Sequence, residues 1–166
     1  MLNTSLIRKL ESKMNQKPRI KKEKEIFEIP KKYTEGLSKK DAKKKTENIK
    51  ETKKLLKEGK KKEAQKLAKK RPTTEDKTKS SFTIRFKKKF PDIKPRTKGF
   101  QQATGIPLAA QKEIVKRGEG AYLSSGSRPS VSSPTQWGIA RLYSFYFNKG
   151  KTFDTDLIKK YNIKFK

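Results

Sequence analysis

Apolar residues are sparse over the first hundred positions, and where they gather they fall at helical steps. Leu2, Leu6, Leu10 and Met14 recur every four residues with Ile7 beside them, which predicts a short amphipathic helix capped by Asn3 or Thr4. Such a stripe docks on the chain's own core or on a neighbour; a membrane-surface helix would add an aromatic anchor, which is missing here. From Met14 to Lys32 the chain is basic and broken by Pro18 and Pro30. Within it, Ile26, Phe27, Ile29 and Pro30 form an extended apolar patch, because a residue before proline avoids the helical region. Ser38 and Asp41 make a capping box that opens a helix with Ile49, Thr52 and Leu56 on one face, Leu55 adjacent and Gly59 as its stop. A second helix, about residues 60–70, carries Ala64, Leu67 and Ala68 and ends before Pro72. A polar linker over 73–80 follows, and then Phe82, Ile84 and Phe86 alternate with Thr83, Arg85 and Lys87, the pattern of a half-buried strand.

The C-terminal third is denser in apolar residues. Thr104 to Pro107 opens a helix with Leu108, Gln111, Ile114 and Val115 inside, and Lys116-Arg117-Gly118 is expected to close it, cation then glycine. A Ser/Gly loop leads to Ser133, Pro134 and Gln136, an N-cap, an N1 proline and a capping-box glutamine in agreement. Trp137, Ala140, Ser144 and Phe147 line one face of the helix that follows. Leu142, Tyr143, Phe145 and Tyr146 make it apolar around much of its girth, so it is expected to be the central core helix, ending at Gly150. Asp154 or Thr155 caps a last short helix through Leu157, Ile158 and Tyr161. The reading is mainly α: a small helical C-terminal domain over 81–166 with one short strand region. Before it come a basic arm over 1–36 and a Lys-rich helical segment with its linker over 37–80.

Charge changes this picture from a fold to a set of partners. The 166 residues carry a formal net charge of +29, and only 30% are hydrophobic, too few to core the whole length. Residues 1–100 hold 35 Lys/Arg against 13 Asp/Glu, and residues 101–166 hold 11 against 4. With so few opposing acids, the Lys-rich faces read as a phosphate-binding surface, although solvated helix faces with pairs such as Glu58 and Lys62 are the plain alternative. The candidate contacts to nucleic acid or partner are Lys43, Lys44, Lys45, Lys60, Lys61, Lys62, Lys87, Lys88, Lys89 and Arg128. There is no Cys and no His, which removes disulfides, thiolate nucleophiles and the usual zinc and imidazole chemistry. No cofactor or metal is expected. No apolar run approaches the ~20 residues of a membrane span, and the N-terminus lacks a secretory core, so a soluble, unprocessed protein is expected.

Few residues offer chemistry. The four carboxylates of residues 101–166 are scattered, and no spacing supports Ser–Lys catalysis through Ser124, Ser125 or Ser127, so the chain reads as non-enzymatic. The loop from Ala121 to Pro134 could hold an anion through Arg128 and the helix start at Ser133, or could be a tight packing loop; both readings stand. It matches no phosphate-loop spacing, and the connection from Gly118 to Ser133 is too long for a helix-turn-helix. Arg141, inside the apolar helix, requires an acid, and Asp154, Asp156 and Glu119 are the ones available. Structural roles are expected for Trp137, Arg141, Gly120 and Tyr122.

Four stretches resemble a known family: TGIP at Thr104–Pro107, RGEGAY at Arg117–Tyr122, SGSRP at Ser125–Pro129 and WGIAR at Trp137–Arg141. They are similar to a small domain of giant DNA viruses (phycodnavirus- and mimivirus-like) and some tailed phages, for which no activity is established. Leu37–Asp41 and Lys79–Lys88 are similar to its upstream basic helix and strand, so the resemblance spans about residues 33–163. Many relatives continue SGSRP with Asn-Gln-Thr where this chain has Ser130-Val131-Ser132, so an amide contact there does not carry over. The resemblance implies a virus and little mechanism. With the charge and the apolar anchors of the arm, it leads to the expectation of a basic minor capsid or inner-virion protein. Such a protein ties capsid subunits together and touches nucleic acid on the inner face of the capsid. A genome-condensing protein is the alternative, and a viral processing enzyme the weaker one.

Overall fold

A computed structural model describes residues 28–75 and 78–166. The expected helix over Leu2–Met14, and Ile26 and Phe27 of the apolar patch, lie outside them. After a 3-10 turn at Lys31–Tyr33 come α1 (Lys39–Lys57), α2 (Lys61–Ala68), α3 (Ser81–Lys89), α4 (Lys98–Thr104), α5 (Leu108–Ser125), α6 (Pro134–Phe147) and α7 (Thr155–Lys160). The fold is mainly α, and the described residues contain no strand.

The first two helices form where their signals fall. Ser38 caps α1: its Oγ accepts from the Asp41 amide at 3.1 Å and donates to the Asp41 carboxylate at 2.8 Å. Gly59, at φ 77°, turns the chain into α2, and Asn48 ties the pair by donating from Nδ2 to the Leu67 carbonyl at 2.8 Å. Ile49 of α1, with Tyr33 before the pair and Arg71 after it, rests on the C-terminal half of the chain, against the Gly126 backbone, Trp137 and the Tyr122 carbonyl.

The expected strand at Phe82–Phe86 is a helix. Ser80 caps it by accepting from the Thr83 amide at 3.1 Å. The effective period is four, Phe82, Phe86 and Phe90, rather than two. Phe86 is fully buried while Ile84, the alternate that a strand would also have buried, is 55% exposed. Phe86 stacks on Tyr143 of α6, ring centroids 4.4 Å apart and planes at 13°, and lies 5.0 Å from Phe100 of α4. That aromatic stack is the middle of the main core, which Ile106, Ile114, Leu142, Phe145 and Leu157 complete. A smaller cluster of Ala68, Tyr122 and Leu123, bordered by Leu56, Val131 and Trp137, joins α1 and α2 to the end of α5.

The second departure is at Gly118. Instead of ending there, α5 runs on for two more turns to Ser125. Gly118 is a crossing point. A Cβ at 118 would lie 2.6 Å from the Gly138 Cα, and a Cβ at 138 would lie 2.5 Å from the Val115 carbonyl oxygen, so α5 and α6 touch backbone to backbone. Gly120, expected to be structural, has nothing within 4 Å of a Cβ position and is exposed. The packing requires the glycine two residues earlier.

Two buried ionic features complete the frame. Arg141 grips Asp154 with two bonds, Nε at 2.8 Å and the guanidinium NH2 at 3.0 Å, and the Asp154 side chain is 3% exposed. Arg117 reaches the same carboxylate at 3.2 Å, Asp156 at 2.7 Å and Glu113 at 2.9 Å. Glu113 in turn accepts from Lys160 at 2.8 Å and from the Tyr161 hydroxyl at 2.6 Å, and these donors hold its carboxyl at a pKa of about 2. Elsewhere Arg71 is buried at the C-terminus of α5. It donates to the Tyr122 and Leu123 carbonyls and to Asn48 Oδ1, satisfying orphan carbonyls with the sign of charge that a helix end favours.

The glycines give a paired prediction. Gly118→Ala and Gly138→Ala should each lower stability by about 1–3 kcal/mol, through overpacking at the crossing. Gly120→Ala should instead raise it by about 1 kcal/mol, because only helix propensity changes. Thermal melts of the three variants decide this by sign. An unchanged melt for Gly118→Ala would mean that the helices separate without penalty.

Candidate nucleic-acid interface

Reading α3 as a helix changes what its cations can do. Arg85, Lys88 and Lys89 fall at i, i+3 and i+4, on one side of the element, beside the C-terminal end of α6. There they meet Tyr146, Phe147 and Lys149 around an open groove of about 500 Å³. No carboxylate lines it. Arg85, Lys89 and Lys149 rest on aromatic rings, a phenol hydroxyl and the Lys166 main-chain oxygen, and not on Asp or Glu side chains. The Arg85 guanidinium lies 4.2 Å from the centre of the Phe147 ring, and Lys149 Nζ lies 5.0 Å from that of Tyr146. Lys89 donates to the Tyr146 hydroxyl at 2.9 Å, which donates onward to the Lys166 carbonyl at 3.2 Å. Lys149 donates to the same carbonyl at 2.9 Å. Ring and hydroxyl contacts fix Arg85 and Lys89 in place without cancelling their charge, and four convergent cations with no Asp or Glu beside them suit an anion with several oxygens, such as a phosphodiester backbone.

The rings themselves are already covered. Phe147 carries Arg85 and also stacks with Phe82 at 6.4 Å, and Tyr146 is buried. No free aromatic face is presented for a base to stack on, so the groove can address the backbone of a nucleic acid but not its bases.

The other expected binding residues are scattered. Lys43, Lys44, Lys61, Lys62 and Lys87 are exposed but belong to other surfaces. Lys60 is exposed too, and paired with Glu58 at 3.0 Å. Lys45 is a correction: it faces inward and is fully buried, so it does not reach a phosphate. Arg128 is exposed, and no ion pair or side-chain hydrogen bond holds it among the described residues. Around it the loop is tightly packed, with Gly126, Ser127 and Pro129 buried; a Cβ at 126 would lie 2.6 Å from Ile49 Cδ1. Ser133 Oγ already takes the Gln136 amide at 3.1 Å, so the start of α6 is closed by its own cap. Trp137 is half-buried at the edge of the smaller cluster, edge-on to Tyr33 at 6.4 Å, and the main core does not depend on it. Tyr122 is buried beneath the Arg71 guanidinium, 5.1 Å from its ring centre. Arg85, Tyr146, Phe147 and Lys149 are not among the contacts expected from the sequence; a helical reading of residues 81–89 puts Arg85 beside Lys88 and Lys89.

Residues 30–164 match the model of a family of unknown function, DUF5824. The chain belongs to that family. No curated protein and no solved structure is detectably similar to this DUF5824 chain. The match takes in every helix described above and both halves of the groove, so the groove is built within the family domain and not from an appended arm.

Lys45 generates a prediction of its own. Its Nζ has no hydrogen-bond partner among the described residues, and burial, then the charge of Arg71, pulls its pKa down to about 8 from 10.5. Below pH 8 the group is charged in both folded and unfolded chains, and the desolvation penalty is fully present. Between pH 8 and 10.5 the unfolded chain binds more protons, so this group makes stability rise with pH. Lys45→Met should therefore stabilise the fold at pH 7 by about 1–3 kcal/mol and flatten that alkaline rise. An unchanged melting temperature at pH 7 would show that the ammonium reaches water.

Proposed function

We propose that this DUF5824 protein is a non-enzymatic, basic structural component of a virus particle. It ties capsid subunits together at the inner face of the shell and contacts the genome there without reading its sequence. The observation that carries the nucleic-acid half of this reading is the groove of Arg85, Lys88, Lys89 and Lys149, cationic and free of carboxylates. With its rings covered, it suits phosphates of duplex and single strands alike. The virion setting rests on the resemblance to the viral domain and on the basic, apolar-anchored arm.

The state of the carboxylates supports a role without catalysis. Glu113 is held at a pKa of about 2, Asp156 is lowered by Arg117, and Asp154 is gripped by two arginines. Glu119 accepts from the Thr135 hydroxyl at 2.9 Å. A general acid or base working near neutrality needs a pKa in that range, and Glu113 and Asp156 are pushed the other way.

The groove is assembled from residues on both sides of position 100, and Phe86 stacks on Tyr143 across the same divide, so its test requires the full chain. Arg85→Ala, Lys88→Ala and Lys149→Ala combined should weaken duplex binding and reduce the slope of log K against log salt by about 1 per residue. Lys43→Ala with Lys44→Ala, on α1, serves as the comparison for loss of bulk charge. Equal slopes for the groove variant and the unaltered chain would defeat the reading. A larger effect of the α1 pair would transfer it to the Lys-rich helices.

A further inference from the structure

Between α1 and the end of α5 the interior holds two cations, Lys45 fully buried and Arg71 5% exposed, and among the described residues neither is paired with an acid. They belong to one polar cluster. Lys45 stands one turn before Ile49 on the same face of α1, and Ile49 Cδ1 packs on Gly126, so Lys45 is carried toward Ser127. Arg71 acts on the charge of Lys45, bonds Asn48 of the same helix and covers the Tyr122 ring, and the Tyr122 phenol lies beside Ser127.

Donors outnumber acceptors here. Lys45 Nζ and Ser127 Oγ are both fully buried, and neither has a hydrogen-bond partner among the described residues. Arg71 spends N–H groups on Asn48 Oδ1 and on the Tyr122 and Leu123 carbonyls, so the nearest carbonyls are already engaged. A water molecule would answer this poorly, because it brings two donors of its own to a place short of acceptors. A halide accepts from every direction, donates nothing, and offsets part of the buried positive charge.

We propose that Lys45, Arg71 and Ser127 form an internal site for a small monovalent anion such as chloride, which ties α1 to the end of α5. Tyr33 and Tyr122 face the cluster from the turn before α1 and from α5, and burial raises the pKa of both, so near neutrality they add no negative charge. The site shares no residue with the groove of α3 and α6 and takes a different ligand, so either can fail alone.

Thermal melts of the full chain at pH 7 test this, with chloride replacing the bulkier gluconate at constant ionic strength so that screening does not change. The melting temperature should rise and saturate, by about 5 °C once chloride is about tenfold above its Kd. Lys45→Met should abolish the saturating rise, whereas Lys43→Met, on the exposed face of α1, should keep it. The gain expected of Lys45→Met belongs to the chain in gluconate and should shrink as chloride increases. Ser127→Ala should weaken the apparent chloride affinity at least about tenfold, the loss of one hydrogen bond to a charged group. An anion beside Lys45 also pushes its pKa back up from about 8, so the alkaline rise in stability should flatten in chloride. Crystals soaked in bromide should show anomalous density between Lys45 and Arg71. A melting temperature indifferent to chloride overturns the proposal, and so does an equal response in Lys45→Met. Bromide found only at surface lysines overturns it as well, and makes the halide an adventitious ion only.

Discussion

The contact between Gly118 and Gly138 is the constraint from which the rest of the geometry follows. Two helices that meet without side chains between them come close enough to share their flanking residues. Val115 then packs its carbonyl against Gly138, and Arg117 and Arg141, each three or fewer residues from the crossing, are brought to one carboxylate, Asp154. That carboxylate stands at a left-handed residue, φ 56°, so the chain takes a strained turn to present it. Beyond the crossing, α6 carries Tyr143 onto Phe86 and Phe147 under Arg85.

The acids of the C-terminal domain are few and mostly spent in one place. Glu113, Asp154 and Asp156 form a single network with Arg117, Arg141 and Lys160 around the crossing, leaving little to neutralise the other cations. Two more cations are taken inside, with different outcomes. Arg71 is satisfied by the last carbonyls of α5, which offer partial negative charge in fixed positions. Lys45 finds no such partner and instead loses proton affinity. The planar fork of arginine can span two carbonyls and an amide at once; an ammonium on the neighbouring face of α1 cannot.

What was legible in the sequence was whatever is decided locally. The caps at Ser38 and Ser133, the stop at Gly59 and the need of Arg141 for an acid are short-range or electrostatic statements, and a single sequence contains them. What was not legible depended on a partner elsewhere in the fold. Gly118 after Lys116-Arg117 has the form of a helix end, and only the arrival of Gly138 from 20 residues on makes it an interior position. Phe82, Ile84 and Phe86 satisfy a two-residue period, but no neighbouring strand exists among the described residues to pair with them. Phe90 extends the same set at a period of four, which the aromatic pocket of Phe100 and Tyr143 rewards. The groove was hidden by the same misreading, since Arg85 faces away from Lys88 on a strand and toward it on a helix. Lys45 looked like its neighbours Lys43 and Lys44 because burial of one lysine in a run of three leaves no compositional mark.

The manner in which the groove holds its cations bears on how it would work. A guanidinium over a ring or an ammonium on a phenol hydroxyl is restrained in position, so less side-chain entropy remains to be lost when an anion arrives. An acid would restrain it equally well, but it would also neutralise it and would have to be displaced by the ligand. Aromatic support therefore separates two requirements that an ion pair couples: order and available charge. The Glu113–Asp154 network uses the opposite solution, where the aim is to lock helices together and retained charge has no use. One small domain thus keeps its acids for cohesion and the aromatic rings at the end of α6 for presenting positive charge. That division is intelligible if the outward cations are meant for a partner whose charge is negative and whose chemical detail does not matter, as along a phosphodiester chain.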